Sequence, residues 1–468
     1  MTSTITSTAP VETRPASAGW APLLVVLSGT FVTFLDFFIV NVALPAIHSE
    51  LRAGSAAVSL VVAGYGLTFA VGMITGGRLG DIYGRRRMFA LGLALFTLTS
   101  AACGLAPSAG VLVGARMLQG AAGALLTPQV LAILGTTYDG ERRSRAFAAY
   151  GFAMGIAGVL GQLVGGALIR ADVAGVGWRT IFLINVPVGL VTLPFVRRVV
   201  PESRGAASRL DLAGMVLGSA AVTAVVLPLV EGREHGWPLW TWLSFAAAPL
   251  LGAGFVSHQR GRAVVGRAPL VDLTLFRLRT FAVGSLTAMM FSLVPPSLFF
   301  VLALYLQQGR GYSALFSGTV FVAVGVGYFA ALLVAVPLAA RLGHQVLALG
   351  ALLVAAGCVV LAEAAHASSA RELAPGLALA GFGIGAVLVP LASTVLAGVD
   401  PQHAGSAAGV LATAQQVGGA LGVAVIGVVF FGSGAVVHAF VVSLWLLAAL
   451  TVATAVLAQL LRPRQDCR

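Results

Sequence analysis

One acidic residue, Asp36, lies near the middle of the first long apolar run of the chain, residues 22–46. A carboxylate at such a depth in a lipid bilayer costs several kcal/mol when it is charged and unpaired. Protonation removes that cost, so an acidic group in this place could carry protons. The alternative is a solvated or ion-paired carboxylate with a structural role only.

A basic residue, Arg116, occurs in the fourth apolar run, residues 109–134, with Gln119 one helical turn later. At about 1.5 Å of helix rise per residue, Arg116 and Asp36 differ in depth by only about 4–5 Å. We therefore expect the two to pair when Asp36 is ionised. Protonation of Asp36 would loosen the pair and shift an equilibrium between two conformations, unless the pair is static and structural.

The elements that must position these residues are membrane-spanning helices. Of the 468 residues, 58% are apolar and only 9% are charged, which is too apolar for a soluble core. An all-α integral membrane protein with fourteen spans is predicted, because a spanning helix needs about 17–25 apolar residues. The predicted spans are 22–46, 57–76, 88–107, 109–134, 145–168, 180–196, 211–230, 240–256, 279–306, 316–336, 345–362, 373–397, 404–430 and 436–461.

The net charge of +12 comes from arginine alone, since the chain contains no lysine. Apart from Arg116, arginines occur mainly in the segments that share a side of the membrane with both chain ends. Short cytoplasmic loops collect basic residues, so both termini are expected in the cytoplasm, and nucleic acid is not an expected partner. The arginines of the opposite side are Arg52, Arg170, Arg179, Arg233, Arg310 and Arg371.

The two halves of the chain resemble each other. The tripeptide Arg-Leu-Gly at 78–80 recurs at 341–343, and GALLTP at 123–128 recurs as GAVLVP at 385–390. Duplicated bundles are typical of alternating-access transporters. The predicted organisation is a disordered cytoplasmic N-terminus (1–21), a six-helix bundle (22–196), a linker with two inserted helices (197–278), a second six-helix bundle (279–461) and a cytoplasmic tail (462–468).

The segment GRLGDIYGRRR follows the second span and resembles the loop 2–3 signature of the major facilitator superfamily, with Ile82 where a basic residue is usual. The resemblance covers essentially the whole chain and implies two six-helix pseudo-repeat bundles. It also implies that the acidic residue caps a neighbouring helix terminus while arginines latch the cytoplasmic side. An ordinary positive loop is the alternative. The implied latch residues are Gly77, Arg78, Gly80, Asp81, Gly84, Arg85 and Arg86.

LDFFIVNVALP around Asp36 and the glycines of GFAMGIAGVLGQLVGG in the fifth span resemble the fourteen-helix drug:proton antiporters. Small residues at such spacing let helix backbones approach closely. In that family this face packs against helix 8 of the twelve-helix core; here Gln162 replaces the family's proline. Plain packing without a functional role is the alternative. The implied packing glycines are Gly151, Gly155, Gly158, Gly161, Gly165 and Gly166.

A large apolar pocket with uncharged polar groups would suit lipophilic compounds. We expect Pro295 and Pro296 to break the ninth span near mid-depth. Because acids other than Asp36 occur at helix ends or in loops, neutral or monocationic substrates are favoured. The residues predicted to line the cavity are Phe37, Asn41, Gln119, Gln162, Phe291, Gln415 and Gln416.

The sequence thus predicts a plasma-membrane secondary transporter that exports lipophilic drugs or antibiotics in exchange for protons. It needs no cofactor or metal beyond the proton motive force, and is expected to act as a monomer in the lipid bilayer. The absence of lysine excludes a GxxxxGK[ST] nucleotide-binding loop. A proton-coupled transporter of one specific metabolite is the alternative. Scattered histidines disfavour a membrane enzyme, and a channel would move nothing uphill.

Overall fold

The computed structural model describes residues 19–205, 211–233, 235–267, 269–367, 369–396, 399 and 404–461. Within these residues the chain is helical, without strands, and fourteen helices are long and apolar enough to span a membrane. The predicted all-α class and helix count are confirmed. The helices are α1 Trp20–Glu50, α2 Ser55–Tyr83, α3 Arg85–Gly104, α4 Ala109–Thr137, α5 Gly140–Ala171, α6 Gly177–Val199, α7 Leu212–Glu231, α8 Leu239–Val264, α9 Arg279–Gly309, α10 Ala314–Leu342, α11 Gln345–Ala364, α12 Ala374–Leu396, α13 Ala404–Gly432 and α14 Val436–Gln459.

The helices extend beyond the apolar runs because polar first turns remain helical outside the hydrocarbon layer. Helix α5, for example, begins at Gly140, where the apolar pattern predicted 145. An even number of spans places both described chain ends on one side of the molecule. That side, at Trp20 and Gln459, is called the terminal face, and the opposite side, at Glu50, is called the far face. The predicted terminal segments lie mostly outside the described residues.

Helix α9 is interrupted, as its two prolines predict. One α-helical segment ends at Ser292 and the next begins at Val294, with Leu293 between them. Proline has no amide hydrogen and its ring clashes with the preceding turn, so a regular helix cannot continue through Pro295 and Pro296. The second segment then passes into a π-helical turn, Tyr305–Gly309, at the far face.

Two bundles account for most helix contacts. Helices α1–α6 pack with one another, as do α9–α14, while α7 and α8 pack mainly against each other. Helix α7 also contacts α2 and α13, whereas α8 is almost entirely exposed on the periphery. The inserted pair therefore lies beside the two bundles and leaves their contact with each other intact.

Two helix pairs supply most of the contact between the bundles, with a smaller contact between α1 and α9. The first pair is α5 with α10. A side chain at Gly166 would collide with the backbone of Ala314 and Leu315, and one at Gly155 would collide with the ring of Tyr328. Backbones this close require small residues at the crossing. The contact extends from the far face to mid-depth of α5.

The second pair is α2 with α13. A Cβ on Gly66 would lie 3.5 Å from that of Ala420, and a Cβ on Gly427 would lie 3.0 Å from the hydroxyl of Ser59. These positions also lie in the half of the molecule nearer the far face. Glycine–alanine and glycine–serine contacts therefore join the bundles there.

Candidate functional site

Asp36 is fully buried at the centre of the first bundle. It lies about 24 Å along α1 from Trp20, given 1.5 Å of rise per residue, so it is close to mid-helix. The carboxylate faces α4 and α6, and every charged or polar group that binds it comes from those two helices. No open surface reaches it in this conformation.

Arg116 of α4 binds Asp36 directly: its Nη1 donates to Oδ2 of the carboxylate, and both side chains are fully buried. Its Nε donates to the carbonyl of Val61 at 3.0 Å and its Nη1 also donates to Oε1 of Gln119 at 2.7 Å. The contact between Asp36 and Arg116, predicted from their similar depths in the membrane, is thus present. Its role in proton coupling stays a prediction.

Gln119 is the second residue of α4 that binds Asp36. Its Nε2 donates to Oδ1 of Asp36 at 2.9 Å and to the hydroxyl of Ser100 at 2.7 Å. Because Arg116 and Gln119 are three residues apart, they project from the same face of α4. One turn of α4 therefore supplies both a charge and a neutral donor to one carboxylate.

Asn185 of α6 is a ligand of Asp36 that the sequence reasoning missed. Its Nδ2 donates to Oδ1 of Asp36 at 2.8 Å and to the hydroxyl of Ser100 at 2.9 Å. Asn185 lies in the segment WRTIFLINVPVG of α6. The available signal was a polar amide inside an apolar span.

Aromatic rings cover the guanidinium of Arg116. Its Cζ lies 4.2 Å from the ring centroid of Tyr65 and 5.5 Å from that of Phe182. Cation–π contacts contribute about 0.5–2 kcal/mol, with the larger values in desolvated sites. Together with Val61 and Gln119, these rings give Arg116 neutral partners that would persist if Asp36 were protonated.

The arrangement can hold one proton without dismantling the helices. A buried pair that loses one charge leaves the other uncompensated, at a cost of about 3–5 kcal/mol when a partner is deleted. Here the remaining charge would keep a carbonyl, an amide oxygen and two ring faces as partners. Protonation of Asp36 would thus remove the ion pair between α1 and α4 and leave Arg116 with its neutral partners.

The glycines of α5 divide between two neighbours. Gly158, Gly161 and Gly165 face α1, at Phe38 and Ile39 among others, whereas Gly155 and Gly166 face α10. Gly151 differs from the prediction: it faces open space, with nothing within 4 Å, because it lies nearer the terminal face, beyond these contacts. Helix α10 holds the place that the family resemblance implied for helix 8 of a twelve-helix core.

The loop between α2 and α3 is bound to the segment after α6. Glu202 accepts from the backbone amide of Arg86 at 3.0 Å, at the start of α3, and Arg85 donates its amide to the carbonyl of Ser203 at 2.9 Å. A carboxylate at a helix N-terminus is favourable by about 0.3–1 kcal/mol. The acid that caps this helix is thus Glu202, which the sequence reasoning did not single out.

Asp81 binds both the loop between α2 and α3 and the segment after α6. Its Oδ1 accepts from Nη2 of Arg85 at 2.9 Å, and its carbonyl accepts from the amide of Gly205 at 3.1 Å. Gly84 has φ +106°, a conformation that favours glycine, and it turns the chain directly against Glu202. Glu202 therefore caps α3, and the capping role that the resemblance implied for Asp81 stays a prediction.

The other predicted latch residues pack at the terminal face. Arg78 donates to the carbonyl of Pro269 at 3.2 Å, in the loop between α8 and α9. Gly77 lies near Pro128, and a side chain at Gly80 would overlap Gln129 of α4. Gly80 therefore lets α2 and α4 approach closely beside the loop, whereas a Cβ at Gly77 would lie in ordinary contact with Pro128, 3.7 Å away.

Four of the seven residues predicted to line the cavity are buried inside the bundles. Gln119 binds Asp36, Asn41 donates to the carbonyl of Phe38 at 3.0 Å, and Gln162 donates to the same carbonyl at 2.7 Å. Phe291 is fully buried in the second bundle. The amide nitrogens of Asn41 and Gln162 thus bind the helix backbone, whereas their buried amide oxygens have no hydrogen-bond partner. The residues that remain partly exposed are Phe37, Gln415 and Gln416.

A cavity of about 330 Å³ opens at the terminal face beside Trp20, Tyr138 and Arg142. It lies at the ends of α1, α4 and α5, away from Asp36. Within the described residues, no group of three or more His, Cys, Asp or Glu side chains could hold a metal ion.

A second polar cluster joins the two inserted helices, α7 and α8, to each other. Asp211 caps α7 and accepts from Nε2 of His258 at 2.7 Å, from Nε2 of Gln259 at 2.8 Å and from the Gly214 amide at 3.0 Å. Nε of Arg262 lies 3.4 Å away. Burial alone would raise the pKa of Asp211, but these hydrogen bonds and the Arg262 charge hold the pKa below its usual value.

The sequence pattern of the family described as Major Facilitator Superfamily matches residues 26–423 of the chain. The chain belongs to the Major Facilitator Superfamily. The structure agrees: a D-xylose-proton symporter superposes with a TM-score of 0.69 at 16% sequence identity, over 96% of this chain and 99% of the other. At that identity the likeness shows the superfamily's fold.

Two relatives are more similar in sequence. The chain is 37% identical to the "Probable actinorhodin transporter" of Streptomyces coelicolor, over 89% of this chain and 73% of the relative. It is 34% identical to the "Tetracenomycin C resistance and export protein" of Streptomyces glaucescens, over 87% of this chain and 75% of the relative. With fourteen candidate spans, the protein is a multi-pass membrane transporter of the bacterial plasma membrane.

Proposed function

We propose that this protein exports lipophilic antibiotics or drugs in exchange for protons by alternating access. The observation that carries the proposal is the buried Asp36 carboxylate, bound by Arg116, Gln119 and Asn185 inside a superfamily transporter. An ionisable group at membrane depth in a transporter is by default a functional group. The relatives add the substrate class, since their names describe actinorhodin transport and tetracenomycin C export.

In this scheme the proton and the substrate stabilise different conformations of the transporter. With Asp36 ionised, its ion pair with Arg116 holds α1 against α4. Protonation of Asp36 removes this ion pair, so the conformation in which the pair forms becomes less stable relative to the other conformation. A ligand shifts such an equilibrium only by its differential affinity for the two states, so drug and proton must favour opposite ones.

The terminal face is cytoplasmic in the proposal. Its loops and segments carry most of the arginines, among them Arg85, Arg86, Arg142 and Arg143, and short cytoplasmic loops collect such residues. The far face then faces outward. Bundle contacts at that side, including Gly166 against Ala314, support an inward-facing conformation with the outer side closed.

The substrate is neutral or carries one positive charge. Asp36 is already neutralised by Arg116, and the partly exposed candidates Gln415 and Gln416 are uncharged. Such groups can bind a lipophilic compound through adaptable hydrogen bonds. They supply no second negative charge for a dication.

The test is drug-driven proton movement in inverted membrane vesicles that contain the wild type or Asp36→Asn. Ethidium, tetraphenylphosphonium and puromycin are added separately to acidified vesicles. Proton release on addition of any of these probes to the wild type, absent in Asp36→Asn, supports exchange through Asp36. Equal release in both vesicle types would place the coupling group elsewhere. No release with any probe would instead favour a transporter of one specific metabolite.

A further inference from the structure

Two glutamines from different helices donate to the backbone of α1. Nε2 of Gln162, in α5, binds the carbonyl of Phe38 at 2.7 Å, and Nε2 of Gln307, in α9, binds the carbonyl of Val42 at 2.8 Å. The two carbonyls are four residues apart, so they lie one turn apart on the same side of α1. We refer to Gln162 and Gln307 as the glutamine pair.

The two bonds differ in which bundles they join. Gln162 and α1 belong to the same bundle, so their bond persists if the bundles move as units. Gln307 belongs to the other bundle, and its bond to Val42 crosses the interface near the far face. Separation of the bundles at the far face must break that bond.

Asp36 lies on the opposite side of the same helix. At about 100° per residue, Phe38 and Val42 are turned roughly 200° and 240° away from Asp36 around the axis of α1. One side of α1 thus carries the ion pair with Arg116, and the other carries the bonds of the glutamine pair. A shift of α1 on loss of the ion pair would move the Val42 carbonyl relative to Gln307.

The Gln307 side of this contact is firmly held. Gln307 projects from the π-helical turn Tyr305–Gly309, and such turns are frequent at functional sites. The ring of Tyr305 stacks on Phe440 at 4.1 Å between centroids, and its hydroxyl donates to the carbonyl of Ala365 at 2.7 Å. The movable partner is therefore α1.

Helix α1 is weakened just beyond the contact. Pro45 has no amide hydrogen, so the carbonyl of Asn41 loses its regular helical partner. Proline within a helix is a common site of kinks. The turn that carries Val42 can therefore tilt without unwinding the part of α1 that carries Asp36.

We propose that the hydrogen bond between Gln307 and Val42 is a gate lock at the far face, which α1 couples to the charge of Asp36, with Gln162 as the permanent anchor. The coupling rests on the proposed proton-driven function. The lock itself does not, because it concerns the closed contact between the bundles whatever drives its opening.

The test measures the distance between spin labels at the far face by electron paramagnetic resonance. The labels are placed at Ala171→Cys and Ala435→Cys, one exposed position in each bundle, in purified protein with Cys467→Ser. Gln307→Met keeps the length of the side chain and removes the donor. Gln308→Ala alters the exposed neighbour in the same turn and is the matched control.

A net hydrogen bond of ordinary strength corresponds to about a fivefold change in an equilibrium constant. Gln307→Met is expected to raise the ratio of long to short distances about fivefold, while Gln308→Ala matches the wild type. An unchanged ratio in Gln307→Met, with a monodisperse protein, would overturn the lock. The same holds if Gln308→Ala shifts the ratio equally.

A double variant separates the lock from the coupling. If α1 links Asp36 to the lock, Asp36→Asn raises the ratio in the wild-type background and adds little in Gln307→Met. Full additivity would show that Asp36 acts by another route and would overturn the coupling while leaving the lock. Failure of proton exchange in vesicles, with the distance shift intact, would refute the proposed function instead.

Discussion

Nη1 of Arg116 donates to Oδ2 of Asp36 across the contact between α4 and α1, with both side chains fully buried. The pair has no solvent to screen it, and an effective dielectric near 20 gives about 4 kcal/mol of attraction at 4 Å. Whether Asp36 is ionised therefore has a large effect on the packing of α1 against α4.

Removal of Arg116 alone should destabilise the protein. Arg116→Gln leaves the Asp36 carboxylate buried without its counter-charge, at a cost of about 3–5 kcal/mol. Adding Asp36→Asn should recover most of that loss, because the double variant buries no charge. The measurement is the melting temperature in detergent at pH 7. A single variant as stable as the wild type, or a double variant no better than the single, would contradict a charge pair of this strength.

Asn185 should act through Asp36. Asn185→Leu removes a hydrogen bond to a charged group, and such bonds contribute about 1.5–3 kcal/mol. In the Asp36→Asn background the same substitution should cost less, because the acceptor is then neutral. A double-mutant cycle on melting temperature measures the difference. Thr451→Ala, which removes a buried side-chain bond to the backbone of α14, is the control and should show no coupling to Asp36.

The glycine contact between α5 and α10 should be sensitive to volume. Gly166→Val places a branched side chain against the backbone of Ala314 and Leu315, where nothing can move aside cheaply. Overpacking costs about 1–3 kcal/mol, and it should also hold the far side open. Gly151→Val, on the same helix but in open space, is the matched control. The readouts are ethidium export from cells and the melting temperature, and equal loss in both variants would argue against a specific contact.

Acid should release the cluster around Asp211. Because its folded-state pKa lies below the ordinary value, the stabilisation is complete above about pH 4 and is lost as pH falls through the lowered pKa. Asp211→Asn should therefore melt below the wild type at pH 7, with a difference that shrinks below pH 4. A difference that stays constant to pH 3 would mean that the charge of Asp211 does not contribute.

The sequence predicts the helices well because spanning segments must satisfy their backbone internally and avoid charge. For the same reason Asp36 and Arg116 stand out, and their similar depths predict their contact. Asn185 and Glu202 could not be assigned to their partners, because nothing in the sequence says which carboxylate a spanning amide faces or which helix end a loop acid caps. The use of Gln162 and Asn41 as backbone donors depends on helix rotation, which an almost uniformly apolar sequence leaves undetermined.

The most direct measurement of the central claim is proton release from purified protein in weakly buffered detergent solution, followed with a pH-sensitive dye. Tetraphenylphosphonium, ethidium and puromycin are the added probes, and binding is checked separately by tryptophan fluorescence. We predict that a probe that binds both proteins releases protons from the wild type and none from Asp36→Asn. Equal proton release from Asp36→Asn would contradict the assignment of Asp36 as the coupling group.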